Sequence, residues 1–399
     1  MAHILMVLDH TFPPDLRVEN EAATLAKAGF EVTVFSIGPD DRDSEEFLDG
    51  YRIVRDRISA TARNKMRGLA GTIPLLDVYV RRRLTRLHRQ RPFDAIHAHD
   101  LYLFGPCLRA GRRLGLPVVG DMHENWPDAL GHYHWSTHFP GKLFVNLQRW
   151  DRLETEWSLA VDELIVVIEE MADRMAQKGV PREKLTVVPN TISREEFGSY
   201  PIDEKLVRSL ESDLTIVYTG GMDCDRGIET AIEAMPTILR SIPGARLVLV
   251  GDGAVRMDLE GLSEQLGVDS SVTFTGWQSQ SRVRSYIAGA DIGIIPHLKT
   301  VHTDHTIPHK LFHYMYMGLP IVASECRPLK RIIEAENIGL IHPSRDAAAF
   351  AGCILELADA PDRREAMGES GKSAVADRYH WDATSKGLVA CYRRLFPES

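Results

Sequence analysis

The chain is poor in cysteine. Its five cysteines (Cys107, Cys224, Cys326, Cys353, Cys391) are odd in number, widely scattered and never form a CxxC pair. That favours reduced thiols in a cytoplasm over a disulfide framework or a zinc site. Long apolar runs are also missing: the N-terminal HILMVL is too short for a signal h-region or a span, and no window reaches about 18 uninterrupted apolar residues. The expectation is a soluble protein, with contact at a membrane surface left open. Nor is there an excess of positive charge. A net charge of −9 argues against a dedicated nucleic-acid binder. No GxGxxG motif follows a strand, Gly251-Asp252-Gly253 alone is a weak signal, and no internal repeat or low-complexity tract is evident.

What is present is ordinary globular composition, with 44% hydrophobic and 26% charged residues over 399 positions, enough for two or three domains. Short buried-type strands alternate with helical patterns, which predicts parallel sheets covered on both faces. The first series runs from His3 to Val188. Polar residues without periodicity follow, and a second series opens at Thr215. The boundaries expected are a first doubly wound domain over 1–192, a linker over 193–212, a second domain over 213–378 and a C-terminal helix over 379–399 packing back on the first domain. Basic runs occur at Arg63 to Arg67 and Arg81 to Arg83. They read either as solvated helix faces or as contacts for acidic lipid head groups.

Residues Thr303 to Ser324, TDHTIPHKLFHYMYMGLPIVAS, are the most informative stretch. A helix beginning near Thr306 would use Pro308 in its first turn, end at Gly318 and lead into the strand Ile321-Val322-Ala323. Its N-terminus at the mouth of a parallel sheet predicts an anion near Thr306 and Ile307. Other polar groups fall at strand ends, where open parallel sheets bind ligands: His97, His99, Asp121 to Glu124, Gly220-Gly221 and Arg226. Arg226 and Lys310 suit a diphosphate, one as a planar fork and one as a point charge. His302, His305, His309 and His313 are also spaced as metal ligands, but Asp304 is the one other ligand type among them. His132, Tyr133, His134, Trp135 and His138 suggest an aromatic loop that could stack on a sugar or pack against the helix carrying Trp150 and Trp157.

Several passages together resemble retaining glycosyltransferases of family 4. These are FPPDLRVENEAATLAKAGFEVTVF at 12–35, DMHE at 121–124, VIEEMADRMAQKGVPREKLTVVPN at 167–190, and then YTGG, RGIE, LVLVGDG, FTGW, ADIGIIP and HKLFHYMYMGLPIVAS in order. The resemblance spans nearly the whole chain and implies the GT-B fold, two doubly wound Rossmann-like domains facing a central cleft. It implies transfer of a sugar from a nucleoside-diphosphate sugar, with UDP favoured over GDP, to an acceptor hydroxyl of a sugar, glycolipid or polysaccharide, retaining the anomeric configuration. No metal or cofactor is implied. By position it implies His123, Arg226 and Lys310 as catalytic residues. Donor contacts would come from Gly220, Gly221, Gly251, Gly253, Thr275, Gly276, Trp277, His305, Thr306, Ile307 and His313. The acceptor side would be formed by Arg17, His99, Asp121 and Glu124.

Two departures from the family pattern stand out. His305 and His313 occupy positions where the family usually carries two glutamates, and a neutral imidazole is no substitute for a bidentate carboxylate. The YTGG loop has glycine where many members have arginine, which throws the diphosphate onto Arg226 and Lys310. These departures keep two other readings open: a UDP-sugar epimerase or hydrolase of the same architecture, and a non-catalytic nucleotide-sugar binder.

Overall fold

A computed structural model of the chain describes residues 1–70, 72–123, 125–132 and 146–397. The described residues form two compact units, one of Met1–Pro189 with Thr384–Ser399 and one of Asn190–Ala383.

The first unit is built on β1 (His3–Leu8), β2 (Glu31–Gly38), β3 (Glu45–Leu48), β4 (Tyr51–Arg57), β5 (Ala95–His99), β6 (Val118–Met122), β7 (Glu163–Val166) and β8 (Leu185–Val187). Their order across the sheet is β3-β4-β2-β1-β5-β6-β7-β8, and every pairing is parallel except the β3–β4 hairpin at the edge. β1 to β2 moves one way and β5 to β8 the other, so the switch point lies between β1 and β5. β1 is buried along its full length, as a strand covered on both faces must be. Helix Leu16–Lys27 follows β1 and is capped by Asp15, whose side chain accepts from the Val18 amide. The hairpin β3–β4 and helix Ala60–Gly68 lie in a polar stretch with no legible period.

The second unit uses β9 (Leu214–Thr219), β10 (Ala245–Val250), β11 (Val272–Phe274), β12 (Ile292–Ile295), β13 (Ile321–Ser324) and β14 (Gly339–His342), ordered β11-β10-β9-β12-β13-β14 and wholly parallel. Its switch point is between β9 and β12. The segment expected as a linker, 193–212, instead carries two short helices, Arg194–Ser199 and Glu204–Ser209. Both have side-chain N-caps, and the chain between them is tied to this unit by the Asp203 amide donating to Ser285 Oγ at 2.9 Å. The expected C-terminal helix is broken into Trp381–Thr384 and Lys386–Leu395.

The opening helix of the 303–324 stretch also differs from expectation. Thr303–His305 is a single 3-10 turn, Thr306 is extended at φ −137°, ψ 156°, and the helix proper is Lys310–Met317. Pro308 is the reason, because a residue preceding proline is driven out of the helical region and Ile307 therefore cannot join the first turn. Tyr314 anchors this helix over the switch point. Its hydroxyl accepts from the Thr219 amide at 3.0 Å, and its ring fills the space a side chain at Gly293 would need.

The loops after β9 and β10 lie backbone against backbone: the Gly220 amide donates to Val250 O at 2.9 Å and the Met222 amide to Asp252 O at 2.9 Å. A Cβ at Gly251, whose φ is +143°, would run into the carbonyl oxygen of Gly220, and one at Gly253 into that of Met222. Gly251→Ala is therefore expected to lower the unfolding free energy by about 2–4 kcal/mol. Gly261, inside helix Arg256–Gln265 with open space around it, makes the control: Gly261→Ala should gain about 0.5–1 kcal/mol. Urea denaturation of both variants checks the pair, and equal effects would remove the close loop contact as a constraint.

Candidate functional site

In the first unit, polar groups converge at the carboxyl ends of β1, β5 and β6. Asp121, at the end of β6, is fully buried. Arg17 grips it with two bonds, Nε to Oδ2 at 3.1 Å and Nη2 to Oδ1 at 2.8 Å, and also donates to Val188 O at 2.9 Å. Arg17 Nη2 also lies 3.0 Å from Glu21 Oε1. Three imidazoles face the same carboxylate: His123 Nε2 lies 2.9 Å from Asp121 Oδ2, His99 Nδ1 3.3 Å and His97 Nε2 3.6 Å away. His97 and His99 stack at 4.3 Å, and His97 Nδ1 meets the Tyr392 hydroxyl at 2.8 Å.

These histidines are not equivalent. Burial, with the neighbouring cationic groups, pushes the pKa of His97 down and that of His99 to about 3, so both stay neutral. His123 sits at the edge, its side chain 19% exposed. Burial works against its charge, but Asp121 and Asp100 outweigh it and the pKa rises to about 9. Asp121 is held well below the usual carboxylate range by Arg17 and His123, against burial. Glu21 is pushed the other way, to about 8, by burial and the nearby Asp121 despite Arg17. At neutral pH the cluster thus holds one carboxylate, one neutral carboxyl, one guanidinium and one imidazolium.

Arg17, His99 and Asp121, expected on the acceptor side, lie beneath the surface, with side-chain exposures of 4%, 0% and 0%. Asp121 and His99 contact His123, and Arg17 holds Asp121. Glu124 and residues 133–138 of the expected aromatic loop lie outside the described residues, as does the side chain of His132. Pattern reading missed the second set of groups at the switch point. Arg67 chelates Asp9 through Nε and Nη2 at 2.7 and 2.8 Å, and the Tyr102 hydroxyl lies 2.8 Å from Asp9 Oδ1 and 2.9 Å from Asp100 Oδ2. Asp9 and Asp100 each follow a strand directly, and that was the available signal. Arg67 and Arg83, members of the basic runs, pair with Asp9 and Asp56.

Among the described residues, Glu21, His97, His99 and Asp121 offer ligand atoms within 4.8 Å of one another. Their chemistry suits a divalent ion, yet Arg17 and His123 already hold the Asp121 carboxylate, so a further cation would meet strong repulsion. The histidines of the 303–324 stretch form no such group among the described residues. His305 Nδ1 is 2.7 Å from Val301 O, and the His313 ring lies flat on Phe197 at 4.5 Å with a 5° interplanar angle. Burial and the neighbouring His309 and Lys310 bring the pKa of His313 to about 3.

In the second unit the surplus is cationic. Lys310 opens its helix at the switch point with its ammonium 3.5 Å above the Tyr218 ring, and a Cβ at Gly220 would come within 3.1 Å of it. Lys310 is buried, and no carboxylate pairs with it among the described residues. Burial and the charge of Arg226 push its pKa well below the ordinary lysine value, with Asp225 opposing. Arg226 has a single loose ion pair, Nε to Asp225 Oδ1 at 3.4 Å. The same two cations and burial hold His297 neutral. Gly220, Gly221, Arg226 and Lys310 are therefore brought together. Gly251 and Gly253 serve the loop contact described above, and Thr306 and Ile307 precede the helix. Thr275, Gly276 and Trp277 follow β11, the indole 71% exposed. Tyr218 was missed because it sits in a run that reads as plain strand, and His297 because it follows Pro296 as a lone histidine just past β12.

Two expectations follow from these charges. Lys310→Met removes an unpaired buried ammonium and should raise stability by about 1–2 kcal/mol, read as a higher Tm; a lower Tm would mean the ammonium has an anionic partner. The second concerns His123. Because its folded pKa of about 9 exceeds the ordinary 6.5, its stabilising contribution is complete below pH 6.5 and is lost as pH climbs through 9. The Tm gap between the wild type and His123→Gln should be widest at pH 6 and close by pH 9.5. A gap independent of pH would show that His123 is neutral in the folded protein.

Residues 16–196 match the family described as Glycosyltransferase Family 4, and residues 213–360 match Glycosyl transferases group 1. An uncharacterized glycosyltransferase of Methanocaldococcus jannaschii is 31% identical, covering 93% of this chain and 92% of that one. Among solved structures, sucrose-phosphate synthase from Thermosynechococcus elongatus superposes with a TM-score of 0.76 at 20% identity, covering 100% of both chains. Anabaena HepE in complex with UDP gives 0.72 at 14% identity, covering 99% of this chain and 100% of that one. Taken with two parallel doubly wound sheets and polar groups gathered at their switch points, these matches establish that the chain belongs to glycosyltransferase family 4 and has the GT-B fold.

Proposed function

We propose that this glycosyltransferase uses a nucleoside-diphosphate sugar, UDP in preference to GDP, and transfers the sugar with retained configuration to a hydroxyl of a sugar, glycolipid or polysaccharide. The observation that carries the reading is the unbalanced charge at the second unit's switch point. Lys310 is buried over Tyr218 with Arg226 alongside, and among the described residues Asp225 alone offsets them. A diphosphate is the anion whose size and charge fit such a pair. The UDP bound to the Anabaena relative supports the choice of base.

The sugar C1–O bond to the diphosphate breaks while a bond from C1 to the acceptor oxygen forms. Lys310 and Arg226 stabilise the negative charge that gathers on the departing diphosphate. His123, whose pKa is raised by Asp121 and Asp100, acts in this reading as a hydrogen donor. The acceptor proton goes to the departing phosphate oxygen on the same face as the attack, which leaves the configuration unchanged. No metal is called for in this reading, since the two cations supply the charge. A peripheral membrane position for a lipid-linked acceptor rests on the remaining arginines of helix Leu75–Gln90, beside the exposed Ile73 and Leu75; no helix among the described residues is long and apolar enough to cross a membrane.

A panel of UDP and GDP sugars, assayed with chelator present, tests the proposal. Acceptor-dependent release of UDP from one sugar is expected, with Lys310→Met lowering kcat/KM by about 100- to 1,000-fold and His123→Ala abolishing transfer while nucleotide affinity is kept. Conversion of the sugar without acceptor would replace the proposal with an epimerase. Thermal protection by a nucleotide without turnover would leave a binding protein.

A further inference from the structure

The backbone of Asp100 is the strained point of the first unit. It lies at φ 69°, ψ 143°, a region that is nearly glycine's alone. Asp100 also stands at the N-cap of helix Leu101–Leu114, where an aspartate ordinarily accepts from the first-turn amides, yet its side chain makes no cap bond. Its carboxylate is turned elsewhere. Oδ2 accepts from Tyr102 at 2.9 Å, and Oδ1 lies 3.7 Å from His123 Nδ1. The phenol has one hydrogen to give and stands between two acceptors, Asp9 Oδ1 at 2.8 Å and Asp100 Oδ2 at 2.9 Å. The Asp100 amide in turn donates to Asp121 O at 2.9 Å, so the strained residue is tied to the strand that carries the other carboxylate facing His123.

We infer that Asp100 is a positioning residue: with Asp121 on Nε2 and Asp100 toward Nδ1, it fixes the His123 ring and keeps it an imidazolium, so that His123 acts as a fixed cation and hydrogen donor in sugar transfer. The inference deepens the proposed function and rests on it for the last clause. The remaining groups around His123 do not supply this. His97 and His99 are neutral, Arg17 is like-charged and bound to Asp121, and Glu21 is largely protonated near neutral pH. Asp15, the cap of helix Leu16–Lys27, is bonded to His10 at 2.9 Å and to the Val18 amide. Among the described residues Asp100 is the one carboxylate within 4.0 Å of Nδ1.

Two variants separate positioning from a merely structural role. Asp100→Asn keeps the shape, can still accept from Tyr102 and removes the charge. Asp100→Gly relieves the backbone strain and removes the side chain. The imidazole 15N–1H spectrum of full-length protein, assigned with His123→Gln, follows His123 protonation directly. Both variants should lower the His123 midpoint by about one pH unit, and Asp100→Gly should melt no lower than wild type. In the transfer assay the alkaline limb of kcat should move down with the midpoint while donor KM changes little. A midpoint unmoved in both variants overturns the inference. A shifted midpoint in a protein that turns over no nucleotide sugar would leave Asp100 as the residue holding the imidazolium and defeat the proposed function instead.

Discussion

A single buried carboxylate organises the first unit. Asp121 is fully buried, and it stays ionised because Arg17 grips both its oxygens and His123 shares one of them. Arg17 comes from the helix after β1, Asp121 from β6, and the Val188 carbonyl bound by Arg17 from the end of the last strand. Removing one member of such a pair leaves a bare buried charge, at a cost of about 3–5 kcal/mol. The same interaction decides where the next proton goes. With a guanidinium already present, the interior tolerates no further cation, so His97 and His99 are neutral and the edge residue His123 carries the charge. Helix Lys386–Leu395 joins this arrangement through Tyr392, whose hydroxyl meets His97 Nδ1.

The second unit has the opposite imbalance. Its strand-end loops meet in glycine backbone contacts, and beside them Lys310 is buried with no carboxylate paired to it among the described residues. A protein selected for stability alone would not leave an ammonium stacked on Tyr218 and opposed by Arg226. Such local costs are retained where binding or chemistry needs them. Strained Asp100 is the same kind of expense in the first unit: a foregone helix cap and an unfavourable φ, both explained by the direction its carboxylate must take.

Much of the fold was legible. The strands of both series announced themselves as short apolar runs with turn residues behind them, and most observed strands lie within a residue or two of where the pattern put them. What escaped included β3, β4, β14 and the helices Ala60–Gly68, Trp126–His132, Gln280–Ala288 and Arg327–Glu336. β3 is a polar edge strand and helix Ala60–Gly68 is tied down through Arg67 with Asp9, while β4 lies between β3 and β2 with Tyr51, Ile53 and Val54 buried, its apolar run broken by Arg52, Arg55 and Asp56. The early start expected for the 303–324 helix was a local misreading, since the rule for the residue before proline was available. Of the site, the motif positions His123, Arg226 and Lys310 stood out, while Tyr218, Asp9 and Asp100 did not, because a tyrosine within a strand and an aspartate after one are unremarkable by type.

The sequence by itself determined the two βα series, the family to which they belong and the cations that lie at the mouth of the second sheet, because periodicity and motif spacing are local properties. Tertiary structure alone decided that Arg17, His99 and Asp121 are buried supports and that one histidine of three is charged. It also decided that Asp100 leaves its helix cap to face His123. Those outcomes depend on desolvation and on distances of a few ångströms between residues 9, 17, 67, 100, 121 and 392, and no spacing along the chain encodes either.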